Sequence, residues 1–183
     1  MNGIRSVFSV DLAKKTFDPL LPRSARDLKL KEKNIENWIA ENPSLLFTNP
    51  EAVLVIGQEV SGEPMADLLA VDSQGALVVI EVKREWSDRS TVGQLLDYAA
   101  ALSNWTYDDF NRRWQRNIEA KGRHLFEAFK EFAENPGFEK DEFLKSRRFF
   151  ILASAGDESV KRIIGWLRDN YDVPIDFVPF QFY

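Results

Sequence analysis

The stretch Ala66-Asp-Leu-Leu-Ala-Val-Asp-Ser-Gln-Gly-Ala-Leu-Val-Val-Ile-Glu-Val-Lys83 decides the reading of the chain. Ala66–Asp72 and Ala76–Lys83 are short, nearly continuous apolar runs, the pattern of strands covered on both faces. Ser73-Gln74-Gly75 separates them, a three-residue loop with glycine last, where a left-handed backbone is wanted. The two runs predict a β-hairpin in the middle of a sheet. Asp67 lies seven residues before Gln74 and Glu81 seven after it, which sets the two carboxylates opposite, or nearly opposite, each other. Directly opposed residues have Cβ atoms about 4.5–5.5 Å apart. Carboxylates at that separation, at the ends of apolar strands, repel each other, and a divalent cation removes the repulsion. Lys83 shares a strand face with Glu81, while Val82 faces away. A lysine there holds or deprotonates a water, or neutralises a phosphoryl oxygen. Lewis acid, positioned water and cation are what phosphodiester hydrolysis requires. The bland alternative is a pair of strand-end carboxylates facing solvent. The flanking runs Leu68–Val71 and Leu77–Ile80 favour a buried sheet centre instead.

Upstream, Lys31 to Glu41 predicts a helix with Ile35, Trp38 and Ile39 on one face. Asn42-Pro43 stops it, because the residue before proline disfavours the α conformation. Glu32 opens this helix, where a carboxylate is favoured, and offers a third oxygen ligand or a grip on a water. Glu36, one turn on, competes for that role. Ala52–Ile56 reads as a strand continuing toward Glu59. Residues 1–23 form an N-terminal arm or short strand, with Phe8, Val10 and Leu12 alternating. Downstream, a helix capped near Ser90 runs through Val92, Leu95, Leu96, Tyr98, Ala99 and Leu102. Gln94 and Tyr98 share one of its faces and offer hydrogen bonds; a plain exposed position and a core aromatic are their alternatives. Residues 103–117 are an aromatic and charged insertion. Its Trp105, Tyr107, Phe110, Arg112, Arg113, Trp114 and Arg116 either stack on bases and bind phosphates or pack between helices under a solvated rim. Ile118–Asn135 reads as one amphipathic helix with His124 on its surface, Arg147–Ala153 as a buried strand and Asp157–Asn170 as a helix. Val173–Tyr183 is a last strand whose prolines suit an edge. This order predicts an α/β (α+β) architecture, a central mixed β-sheet flanked by helices.

Composition bounds the chemistry. The chain has 183 residues, 44% of them apolar and 13% aromatic, enough for one domain with its own core, placed at 24–183. Cysteine is absent and His124 is the one histidine. Thiol nucleophiles, thiolate zinc sites and multi-histidine centres are excluded, and any metal is a hard cation held by oxygen. The net charge of −5 excludes a histone-like binder but not an enzyme with local nucleic-acid contacts. No apolar run spans a bilayer and no secretory signal is evident, so no membrane role and a cytoplasmic location are expected.

Met65-Ala66-Asp67, Glu81-Val82-Lys83 and Gln94-Leu-Leu-Asp-Tyr98, in this order and spacing, resemble the PD-(D/E)XK nuclease superfamily, the restriction-endonuclease-like fold. Residues 28–102 are similar to uncharacterised bacterial members and to the C-terminal nuclease domain of archaeal mismatch-directed endonucleases. The helix Glu32–Pro43 and Glu59 fit the same pattern. Ala66 stands where the nominal motif has proline. The resemblance implies a metal-dependent endonuclease acting on DNA and leaving a 5′-phosphate, in restriction, repair or defence. Asp67, Glu81 and the Val82 carbonyl would ligate Mg²⁺ or Mn²⁺, and Lys83 would orient or activate water. Glu32 would assist, and Gln94 and Tyr98 would shape the site or contact the backbone. Arg84, Arg112, Arg113 and Trp114 are the candidate nucleic-acid contacts. No recognition domain is visible, so targeting falls to a partner protein or a homodimer. The rival is a catalytically silent nuclease-like module that binds DNA or a protein; a third reading is a hydrolase of small phosphoesters.

Overall fold

The computed structural model describes residues 7–45, 47, 52–58 and 66–183. The chain begins with β1 (Val7–Asp11), β2 (Thr16–Leu20), α1 (Glu32–Glu41) and β3 (Val53–Gln58). Then come β4 (Leu68–Asp72), β5 (Leu77–Val82), β6 (Trp86–Ser87), α2 (Arg89–Leu102), α3 (Tyr107–Trp114) and α4 (Leu125–Phe132). It ends with β7 (Arg147–Ala153), β8 (Ala155–Gly156), α5 (Glu158–Tyr171) and β9 (Ile175–Pro179).

The hairpin β4–β5 is the middle of a mixed five-stranded sheet of order β3-β4-β5-β7-β9. β3, β4 and β5 are antiparallel, and β7 and β9 continue parallel to β5. The hairpin ladder runs from Leu68↔Ile80 to Val71↔Leu77. At its turn, the Gly75 amide donates to the Asp72 carbonyl (3.0 Å) and Asp72 N to Ala76 O (3.1 Å). Gly75 adopts φ +79°, and a Cβ there would come 2.6 Å from Phe138 Cζ, so both backbone and space demand glycine.

Every residue of β4 and β5 is buried, because helices cover both faces. The pleat sends alternate side chains to opposite sides. Leu69, Val71, Leu77 and Val79 join Leu95 of α2, Trp114 of α3, Phe129 of α4 and Val160 of α5. Leu68, Ala70, Val78, Ile80 and Val82 face Ile35 and Ile39 of α1, with Ala25 and Phe47. The sheet edges are blunted. β9 ends in Pro179. β3 shifts register at Ile56, and Asn117 Nδ2 donates to the Val55 carbonyl (3.0 Å).

Several local expectations are corrected. The alternation around Phe8–Leu12 belongs to a two-stranded hairpin, β1–β2, and Leu12 lies in its turn. The cap of α2 expected near Ser90 is Asp88, whose side chain accepts from Ser90 N (2.8 Å). The insertion 103–117 contains α3, and Ile118–Asn135 is not one helix. A single 3-10 turn, Ile118–Ala120, is cut from α4 by left-handed Lys121 (φ 48°) and Gly122 (φ 80°). The last strand is shorter than expected, Ile175–Pro179, and lies at the edge. β6 and β8 form a small parallel ribbon with no signal in the sequence. Glu59 and Met65 lie outside the described residues. No helix among those residues is long and apolar enough to cross a membrane.

Candidate functional site

The hairpin register carries the site. Continued one step past Leu68↔Ile80, it sets Asp67 against Glu81. Asp67 is 9% exposed and Glu81 2%. Asp67 Oδ2 accepts from the Val82 amide at 2.6 Å, so the carboxylate is tied to the β5 backbone. Lys83 follows β5, and its amide donates to Leu152 O of β7 (2.7 Å), which fixes its position between two strands. Its Nζ donates to Glu81 Oε1 at 2.6 Å and stands 3.8 Å from Glu32 Oε1.

α1 closes the cluster. Glu32 Oε2 accepts from Arg84 N (2.8 Å), tying the start of α1 to the chain just beyond β5. Glu36, beside Ile35 on the buried face, is itself buried and pairs with Lys33 Nζ at 2.7 Å. Its charge reaches Asp67. Sequence reading weighed Glu36 only as a competitor to Glu32. The structure gives them separate duties, with Glu32 at Lys83 and Arg84 and Glu36 toward Asp67. The usable signal was Glu36's place next to the apolar stripe Ile35–Ile39.

Electrostatics follow from this crowding. Burial first, and then the Glu81 charge, push the Asp67 carboxyl up to about 8; Glu36 adds to the rise. The Val82 amide and Lys83 oppose it. For Lys83, burial works to lower the pKa, but the hydrogen bond and charge of Glu81, with Glu32 and Asp67, outweigh it and raise it. Lys83 is therefore a firmly protonated donor as the site stands. That suits orienting a water or neutralising a phosphoryl oxygen better than taking a proton.

The donor set suits a hard cation. Opposed, buried carboxylates are its preferred ligands, and its charge would relieve the repulsion that keeps Asp67 protonated. Among the described residues, no three His, Asp or Glu side chains gather closely enough to hold a metal by themselves. A cation here would rest on Asp67, Glu81 and main-chain or water oxygens.

The other candidates are scattered. Gln94 is exposed on α2, and Tyr98 is half-buried against the core beneath that helix. Arg84 holds the Leu30 carbonyl through Nη1 (3.5 Å). The run 105–116 divides. Trp114 is buried in the core, its Nε1 donating to Arg123 O (3.0 Å). Arg113 is 5% exposed and lies where Gly57 lacks a Cβ; an added one would fall 2.8 Å from its Nε. Both are thereby corrected as nucleic-acid contacts: α3 is amphipathic, and its inner face is needed by the core. Arg112 is exposed and paired with Asp109. A cavity of about 640 Å³ runs along β3 between Ala40, Gly57, Arg113 and Arg116. It contains none of the clustered carboxylates, and the chemistry of the carboxylate end outweighs its size.

No family model and no curated protein matches the chain. Among solved structures it is similar to EndoMS bound to double-stranded DNA (18% identity, TM-score 0.47). That match covers 87% of this chain and 47% of the other. It is also similar to a repair endonuclease from Pyrococcus abyssi (17% identity, TM-score 0.48), over 96% of this chain and 65% of that one. The chain thus spans about half to two thirds of these proteins' length.

Proposed function

We propose that the chain is a metal-dependent deoxyribonuclease of the PD-(D/E)XK type. One observation carries this reading: two carboxylates buried opposite each other across β4–β5, with a protonated lysine 2.6 Å from one of them. A structural role asks for none of this, since opposed buried carboxylates raise the folded state's free energy. Asp67, Glu81 and the Val82 carbonyl would hold Mg²⁺ or Mn²⁺. The ion would supply Lewis acidity toward the phosphoryl oxygen and an acidified water. Lys83 then donates to the attacking water or to a non-bridging oxygen, steadied by Glu81 and Glu32. Glu32 keeps the start of α1 on Arg84 N, and Glu36 adds negative potential at Asp67. DNA is the substrate class proposed, acting in a cytoplasmic setting, with a homodimer or a partner protein supplying the target.

The test is cleavage of labelled single-stranded, double-stranded and branched DNA with Mg²⁺, Mn²⁺ or EDTA, comparing wild type, Asp67→Ala and Lys83→Ala. Metal-dependent cutting lost in both variants is expected. A silent wild type, or variants that cut as well as it does, overturns the assignment. One observation favours a second reading, a module that binds without cutting: Lys83 Nζ already occupies Glu81 Oε1, a ligand atom of the first reading. DNA binding without cleavage under any metal would select it.

A further inference from the structure

We propose that the segment Arg23–Lys33 is a phosphate-backbone platform for nucleic acid, laid against the candidate active site. The inference rests on the nuclease reading for its choice of partner. Arg23-Ser-Ala-Arg-Asp-Leu-Lys-Leu-Lys-Glu-Lys33 carries five cations and two acids, in a chain whose net charge is −5. The segment is therefore a local excess of three positive charges in an acidic protein.

The segment is held in shape. Ala25 is buried and Leu30 packs against the α1-side core. Leu30 N donates to Ala25 O (2.8 Å), and Arg23 N to Phe182 O (2.9 Å). It is also tied to the end of β5. Arg84 N donates to Glu32 and Arg84 Nη1 to Leu30 O, while Arg26 N donates to Glu85 Oε1 (2.9 Å). These anchors, Arg84 and Glu85, directly follow Lys83 in sequence, so the platform borders the carboxylate cluster.

The platform's acids are engaged. Glu32 serves Arg84 and Lys83, and Asp27 accepts from Ser24 N (3.2 Å). Arg26 pairs with Glu85 and Lys33 with Glu36. Arg23, Lys29 and Lys31 are exposed and form no ion pair with a described residue. Several exposed cations elsewhere are matched by an acid three residues away, as in Lys14–Asp11, Lys145–Glu142 and Lys161–Glu158; others, such as Arg89 and Arg162, stand singly rather than clustered beside the site. Asp27 offsets part of the Arg23 charge, but exposed cations in net excess beside a phosphodiester site fit the regular negative charge of a nucleic-acid backbone. An acidic peptide would want a groove, and the cavity described lies along β3 instead.

The experiment measures binding of a labelled DNA duplex to the full chain in EDTA, across roughly 50–200 mM salt. Arg23→Gln/Lys29→Gln/Lys31→Gln is compared with Lys145→Gln/Lys161→Gln/Arg168→Gln, which removes the same charge elsewhere. The platform variant should bind at least about tenfold more weakly. Its log–log salt slope should shrink by about 2–3, given about 0.9 per lost phosphate contact. The control triple should stay close to wild type, and matching circular dichroism melts keep a folding defect apart. Equal weakening by both triples, an unchanged platform variant, a wild type that binds no DNA, or a preference for anionic vesicles each overturns the proposal. Binding lost in the platform variant while wild type never cuts would sustain the platform and sink the nuclease. Cutting by wild type with an unaffected platform variant would do the reverse.

Discussion

β4 carries two aspartates, Asp67 just before its first residue and Asp72 at its last, and both are buried. Their surroundings differ. The Asp72 carboxylate accepts from Gln74 N (3.0 Å), Ala76 N (2.9 Å) and Arg148 Nη1 (3.2 Å). It organises the hairpin turn and receives what a buried carboxylate needs. Asp67 receives one amide and faces Glu81 across the strands. The same residue type on the same strand is satisfied at one end and left under repulsion at the other. Burial alone does not single out a carboxylate as a candidate for function; burial with a like charge opposite does.

The sharpest way to break this comparison is activity. Asp67→Asn should lower Mg²⁺-dependent DNA cleavage by roughly 10³-fold, the order lost when a group stabilising transition-state charge is removed. Any stably folded variant of Asp72 should cut within a few-fold of wild type. Equal losses at both positions would end the distinction. Denaturant unfolding reverses the ranking. Asp72→Ala should cost about 2–4 kcal/mol, because two turn amides and Arg148 lose their acceptor. In EDTA, Asp67→Asn should cost little or add stability.

The third prediction is pH dependence. The folded Asp67 carboxyl sits at about 8 against an ordinary 3.8. The folded state therefore holds a proton that the unfolded chain has released, and between these values stability falls as pH rises. Wild type in EDTA should lose roughly 2–4 kcal/mol between about pH 5 and pH 8 relative to Asp67→Asn, the order implied by about 1.4 kcal/mol per pKa unit. Parallel curves for the two proteins would contradict the raised value. Last, Gly75→Ala should destabilise by about 1–3 kcal/mol, read from its unfolding midpoint, since it adds left-handed strain and a clash with Phe138. It should leave DNA affinity unchanged, being at the far end of the hairpin.

The centre of the fold was legible because its signals are local. Two apolar runs, a Gly75 turn and a two-residue pleat are enough to place Asp67 against Glu81 and Lys83 beside it. The prolines of the last strand likewise marked an edge. What escaped depends on distant partners. Arg113 is buried because Gly57, 56 positions away, leaves room for it. Trp114 lies in the core because α3 turns its inner face there, and a charged, aromatic run hides that short stripe. The break at Lys121 and Gly122 was announced only by one glycine inside an otherwise amphipathic run, and Lys121 itself, a residue that ordinarily favours helix, takes the left-handed conformation. Two-residue ribbons such as β6–β8 carry no periodicity at all. In the site, the strand residues and Glu32 were readable, whereas Glu36 needed the packing of α1 to be seen facing Asp67.

The blunted sheet edges have a consequence for assembly. At β9, Pro179 offers no amide to an incoming strand. At β3, the Asn117 side chain already occupies the Val55 carbonyl, and the shift at Ile56 twists the strand away from a flat template. Each margin thus carries a local obstacle to an incoming strand, which works against growth of this sheet into filaments. Self-association, where it occurs, is steered toward side-chain surfaces, and one such surface is the exposed apolar face of the β1–β2 hairpin around Phe8, Val10 and Phe17.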